Sequence, residues 1–491
     1  MTTIGAKSYL SIATSNDGSS GVFGGAGLAT AGPQQLRFEV ANRGMLQTPE
    51  LRLQGTLRVR AIATGASLGA GGMAIDCNIN PMCGVQSTID NLEISSRVNS
   101  TRSIERILNY GHLASSLTST LHGKTSYDTQ LFHEQGCKGN GVPCADSSMA
   151  GVAARAEGHQ ARSGGLPQPA APSAATTTQL IGSTSTIGIK GMPAPNPTAQ
   201  LAAGKRALMS ALGMPFDMRI VAGMFMGQEA IDLEALGGMA LTINLAPPSQ
   251  VLGGANAAAY TYEIVNPRLV VPIIEKTPEE QQATAAQSVT TMSFLTYQSL
   301  YQTLTSTSQQ MVSRVSYQGL VSMFQHYIPV SHLQNSTVDS FAQYNPGIQQ
   351  LIFLKDGKRQ PLEYAITPVV VPNVAQTNQP SYLPTTLWQG LDSFRNTRDI
   401  TKSLVNPQYS GYGQQLGVPS TCSAAFVTGC SYDDVSHQGI DATASTVGFE
   451  ITSTLDNPLN RGNATPFASF SYLLTRTVVQ ADRAGGISIM S

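Results

Sequence analysis

Between Gly84 and Leu121 the spacing of apolar residues changes once, in mid-segment. Leu92, Ile94 and Val98 share one parity, the period of a strand with one buried face. Beyond Asn99-Ser100-Thr101, the residues Ile104, Ile107, Leu108, Ala114, Leu117 and Leu121 recur at helical intervals. Ser103 is placed to cap that helix and Glu105 falls in its positive first turn. The pattern predicts a strand feeding a helix, with Ile104, Ile107, Leu108 and Leu117 as the helix core that braces the fold.

Elsewhere the alternation is of strand type. Gln35 to Val40 and Glu50 to Ala61 carry apolar residues against polar neighbours, and β-rich runs follow at 216–226, 236–245 and Tyr260 to Ile274, bounded by Gly and Pro. The pattern restarts at 311–330 and again at 349–364, where Asp356-Gly357 predicts a hairpin turn. Two further strands are expected at 447–454 and 468–479. Residues 1–33, rich in Gly, Ser, Thr and Ala, read as a flexible arm. The stretch 139–200 has too little apolar surface to offset its ordering entropy and reads as a low-complexity surface loop. Thr277-Pro278-Glu279-Glu280-Gln281-Gln282 is linker-like, which places the domain boundary there: a first domain at 34–276 and a second at 277–491.

Composition sharpens this picture. Only 12% of the 491 residues are charged, against about 25% in ordinary soluble domains. With the hydrophobic fraction at 41%, the missing charge has been replaced by Ser, Thr, Gln, Asn and Gly. A polar but uncharged surface suits burial against other subunits, because no ions lose their water; an extracellular setting or host composition would produce the same bias. The 29 basic and 30 acidic residues leave a net charge of −1, so no field gathers nucleic acid and no specific nucleic-acid binding is expected. The first residues lack the apolar core of a secretory signal, and no apolar run approaches a membrane span, so synthesis in the cytosol is expected.

Candidate chemistry is sparse. Six cysteines form three local pairs, Cys77 with Cys83, Cys137 with Cys144 and Cys422 with Cys430, which are open to disulfide bonding or to a reduced fate. His133, Glu134, Cys137 and Cys144, with His122 upstream, have the ligand types of a zinc site but lack its paired short spacings. Gly123-Lys124-Thr125 has no glycine five residues earlier and follows a helical pattern, contrary to a phosphate loop. The sequons at Asn99, Asn335 and Asn463 are of a length that arises by chance in such a chain. Trp388, the single tryptophan, is expected to anchor a loop in the second domain. No catalytic, cofactor or metal residues are assigned, and the chain is not expected to be an enzyme.

The order of these features resembles the double jelly-roll major capsid proteins, the hexon-type coat proteins of tailless icosahedral double-stranded DNA viruses, including the Polinton-like, virophage, giant-virus and tectivirus-like lineages. The resemblance is carried by the run from Gly84 to Leu121, the pair ALTINLAPPSQVL and YEIVNPRLVVP, the restart at Val312 to Val330 and the hairpin LIFLKDGKRQPLEY. It implies an all-β fold of two antiparallel eight-stranded jelly-roll sandwiches in tandem, with a short helix in the first and long surface loops. It further implies homotrimeric, pseudo-hexagonal capsomers tiling a virion shell after synthesis in the host cytosol. The implied partners are neighbouring copies, minor capsid and penton proteins, and an internal membrane reached by the N-terminal arm. The alternative from another class is a multi-domain β-sandwich binding protein, such as a viral spike or a carbohydrate-binding surface-layer component. A jelly-roll enzyme ranks third.

Overall fold

The computed structural model describes residues 7–16, 21–29, 31–65, 78–79, 83–99, 102–120, 214–226, 230–253, 257–286, 289–315, 319–333, 340–341, 343–344, 346, 348–359, 369–370, 380–381, 422–423, 428–431, 445–453, 456–457, 460–464, 466–482 and 487–490. Sixteen strands build the frame. The first eight are β1 (Lys7–Ala13), β2 (Gln35–Val40), β3 (Arg52–Ala61), β4 (Ile89–Ser96), β5 (Ser103–Ile107), β6 (Met214–Arg219), β7 (Met239–Leu245) and β8 (Tyr260–Ile274). The second eight are β9 (Val289–Leu304), β10 (Ser308–Val315), β11 (Leu320–Pro329), β12 (Ile348–Lys355), β13 (Lys358–Arg359), β14 (Thr428–Ser431), β15 (Ser445–Ser453) and β16 (Phe467–Asp482).

Strand order is the same in both halves. The first half pairs as β1-β8-β3-β6 and β2-β7-β4-β5. The second pairs as β9-β16-β11-β14 and β10-β15-β12-β13. Adding eight to every number of the first series gives the second, and every pair within it is antiparallel. Apart from β4–β5 and β12–β13, which are neighbours in one sheet, consecutive strands alternate between the two sheets of a sandwich, which is the jelly-roll connection. The chain is therefore all-β, two antiparallel eight-stranded jelly rolls in tandem.

Alternation explains the cores. Leu36, Phe38 and Val40 on β2, Leu53, Leu57 and Val59 on β3, and Leu92 and Ile94 on β4 are all buried between the first two sheets. In the second sandwich Leu351 and Phe353 on β12 and Val447, Phe449 and Ile451 on β15 do the same. β11 is buried at every position, as befits a strand covered on both faces, and so lacks the polar-apolar alternation of its neighbours. Asp356 (φ 50°) and Gly357 (φ 72°) form the left-handed pair of a type I′ turn between β12 and β13, as the sequence predicts.

The structure corrects three expectations. Residues 7–13 are not a loose arm but β1, paired residue by residue with β8, and Val22–Gly24 pairs further along the same strand. None of the side chains of residues 7–13 is buried, yet β8 offers a row of backbone partners that the composition of the segment does not reveal. The second correction concerns the helix. Ser103–Ile107 is β5, and the helix α1 runs only over Tyr110–Thr120. Ile104 and Ile107 are buried as strand residues and Leu108 is 36% exposed, so of the four expected core residues only Leu117 lies in the helix and is buried there. Pairing with β4 on one side and β9 on the other outweighs the helical spacing, and Asn109, at φ 53°, makes the left-handed break before α1.

The third correction falls on the expected linker. Between the sandwiches lies a helix, α3 (Pro278–Ala286), while α2 (Gly223–Met226) is a single turn after β6. α3 opens with Pro278 at its first position and a reciprocal capping box, Glu280 N–H to Thr277 Oγ1 at 3.3 Å and Thr277 N–H to Glu280 Oε2 at 2.9 Å. The stretch 139–200 lies outside the described residues; it belongs to the connection between β5 and β6, the fifth and sixth strands of the first sandwich. Replacing Gly357 by Val is expected to lower stability by about 1–2 kcal/mol, since a side chain disfavours φ near 72° even in open space. Thermal unfolding of the variant checks this.

Candidate functional site at the seam of the two sandwiches

β5 and β9 meet in a short parallel pairing at Arg106 and Gln298, which joins one sheet of each sandwich into a continuous layer. Such a pairing supplies few hydrogen bonds, so the seam is held mainly by what surrounds it. Three groups of side chains do this.

Glu105 on β5 is 1% exposed. Its Oε1 accepts from the backbone N–H groups of Gly223 and Tyr297, each at 2.8 Å, and Oε2 accepts from Met224 N–H at 2.9 Å. Gly223 and Met224 open α2, whereas Tyr297 lies on β9, so a single carboxylate ties three segments and both sandwiches together. Burial pushes its carboxyl up to about 7, and the three N–H donors oppose that rise. Gly223 fits because a Cβ there would stand 2.7 Å from Leu295 O and 2.8 Å from Thr296 Cα, both backbone of β9.

α1 forms the second group. His112 stacks on Phe470 of β16 with ring centroids 3.9 Å apart, and meets His326 of β11 edge-on at 4.8 Å and Phe341 at 4.9 Å. Burial first, and the neighbouring His326 second, push His112 well below the usual histidine range, so it is neutral. Ser116 Oγ donates to His112 O at 2.9 Å and lies 3.2 Å from His326 Nδ1. Ser115 Oγ donates to Phe341 O at 2.9 Å, and Gly111 leaves room for the Phe341 ring, which a Cβ would strike. The third group closes the turn before α1: Tyr472 OH donates to Asn109 O at 2.8 Å, and Leu108 N–H to Ser299 Oγ at 3.1 Å.

The seam gathers some of the residues singled out in the sequence and leaves out others. Ile104 and Ile107 sit on the seam strand, while Leu108 lies at its exposed rim. Cys83 is buried and its thiol donates to Gly111 O at 3.3 Å, beneath α1. Cys77, Cys137, Cys144, His122, His133, Glu134 and Trp388 lie outside the described residues, as do the side chains of Cys422 and Cys430. His112, His326, Gly111 and Gly223 carried no sequence signal, because each is used by a partner more than a hundred residues away. Gly65-Ala66-Ser67-Leu68-Gly69 also has nucleophile-elbow spacing; Ser67 lies outside the described residues, and no base or oxyanion donor is assigned to it. Among the described residues no group of three or more His, Cys, Asp or Glu could hold a metal ion, and no helix is long and apolar enough to cross a membrane.

Two outcomes follow from this geometry. Gly223→Ala is expected to cost about 1–3 kcal/mol, because the new methyl meets backbone that must move; urea unfolding measures it. The Glu105 carboxyl titrates higher when folded, about 7, than its ordinary 4.5, so its contribution is full below 4.5 and is lost as pH rises through 7, about 3 kcal/mol in all. His112 acts oppositely: its contribution is present above 6.5 and is lost as pH falls below that. The stability of the parent chain relative to Glu105→Gln is therefore expected to rise as pH is lowered from 8 to 4.5, and a difference independent of pH would show that Glu105 does not titrate in the seam.

No protein-family model matches this chain, and no curated protein matches it. Among solved structures it is similar to a chain of the Sputnik virophage determined by cryo-EM, with 9% identity and a TM-score of 0.55, over 100% of this chain and 89% of the other. The Faustovirus major capsid protein is similar at 9% identity and a TM-score of 0.48, covering 98% of this chain and 91% of that one. The mavirus major capsid protein follows at 10% identity and 0.43, over 98% and 89%. The Sputnik likeness, spanning the whole chain, agrees with the repeated strand order: this protein has the double jelly-roll fold.

Proposed function

We propose that this chain is the major capsid protein of a tailless icosahedral virus, three copies of which form a pseudo-hexagonal capsomer that tiles the shell. The observation that carries the reading is the repeat of one strand order in two sandwiches locked by a buried seam. A chain that presents two similar bodies in a fixed relation gives six similar bodies in a ring when three copies assemble about a threefold axis. The fold likeness to the Sputnik virophage chain supports it, as does a surface that is poor in charge and suited to burial between subunits.

On this reading α3 marks the division between the sandwiches, so that the first runs from β1 to β8 and the second from β9 onward. The partners are further copies, the minor capsid and penton proteins that complete such shells, and an internal membrane where one lies beneath. The place of action is the virion, after synthesis in the host cytosol. No step of chemistry is required: the mechanism is geometric. The test is light scattering coupled to size exclusion of the purified chain. Three chains of 51.7 kDa give a particle of about 155 kDa. That mass, or a shell that dissociates to it, supports the reading, and a monomer at every concentration overturns it.

A further inference from the structure

We propose that β1 is a docking edge for a second copy of this chain, whose β12–β13 hairpin lies along it. The inference rests on the capsomer reading and names the contact that builds the ring.

Among the described residues β1 is hydrogen-bonded along one edge only, to β8 from Lys7 opposite Ile274 to Ala13 opposite Arg268. None of its seven residues is buried. Tyr9 is 60% exposed and Leu10 40%. Successive residues of a strand point to opposite faces, so the exposure of these two large neighbours leaves apolar surface on both faces, even though Ile12 packs partly against the core. Lys7 Nζ, at 2.6 and 2.7 Å from the carboxylate oxygens of Glu50, and Tyr9 OH at 2.7 Å hold the strand in place without occupying its free edge. A strand open along one edge and bearing exposed Tyr9 and Leu10 is a template for another chain.

The seam within the chain says what that other chain is. β9 holds in the second sandwich the place that β1 holds in the first, since each begins the same strand order. The free edge of β9 is taken by β5, the fifth strand of the other sandwich, in the parallel sense. The fifth strand of the second sandwich is β13. Among the described residues it pairs only with β12, its Lys358 and Arg359 are exposed, and nothing stands within 4 Å of a Cβ at Gly357. Laying β13 of one copy beside β1 of the next repeats the internal seam between copies. A head-to-tail contact of this kind, repeated at the rotation that three copies of two sandwiches impose, closes into a ring and leaves no free edge.

The experiment is hydrogen exchange read by mass spectrometry on the full-length trimer, with Leu10→Glu assayed beside it by light scattering. A strand bonded only to β8 protects every second amide; in the trimer the remaining amides of β1, and those of Lys358 and Arg359, are expected to exchange at least about tenfold more slowly than an unstructured chain. Leu10→Glu is expected to weaken the trimer by roughly tenfold or more, with the unfolding midpoint of its monomer within about 2 °C of the parent. A trimer whose alternate β1 amides exchange freely overturns the proposal and leaves the capsid reading standing. A chain that never trimerises overturns both. If Leu10→Glu fails to fold, the exchange pattern of the parent trimer decides alone.

Discussion

The relation between the two sandwiches depends on where one buried carboxylate finds its hydrogen bonds. Glu105 has no lysine or arginine to neutralise it among the described residues, and a charge taken out of water in that state is costly. Three backbone N–H groups replace the lost water, two from the turn that opens α2 and one from β9. Without the carboxylate those donors would be orphans on the edge of β9 and at a helix start. Carboxylate and amides therefore need one another, and because they come from both halves of the chain, the need can be met only with the sandwiches in one relative position.

Around that point the seam is polar but almost without charge. Ser115, Ser116, His112 and His326 serve α1, and Thr296 shares hydroxyl contacts with Thr475 at 3.1 Å and Thr477 at 2.7 Å between β9 and β16. Neutral groups of this sort fix direction through hydrogen bonds while avoiding most of the desolvation cost of ion pairs. The low charge of the whole chain thus has a counterpart in its interior. Ion pairs occur where the surface allows them, as between Lys7 and Glu50, and where a buried lysine is served by two carboxylates, as Lys276 is by Asp232 and Glu234.

That economy bears on the proposed role. A capsomer of the kind proposed needs two bodies that differ in sequence yet present similar outlines at a constant angle, and a seam built from backbone amides, aromatic stacking and glycine clearances tolerates little sliding. At Gly111 and Gly223 a Cβ would strike Phe341 and the backbone of β9, so the angle is set by the absence of side chains as much as by their presence.

Local pattern determined most of the strands. Gln35–Val40 and Tyr260–Ile274 fall where their alternation places them, and Asp356-Gly357 makes its turn, because a half-buried strand and a left-handed turn are written in neighbouring residues. Thr277 and Glu280 likewise carried a capping box that could have been read as a helix start. Only the tertiary structure decided that Ser103–Ile107 is a strand, that residues 7–13 belong to the first sheet, and that Glu105, His112, His326 and Gly223 meet. In each case the deciding partner lies far along the chain. A spacing that suits a helix yields to two flanking strands, and a segment with no buried side chain orders when a distant edge satisfies its backbone, since the free energy at stake resides in the pairing and not in the segment.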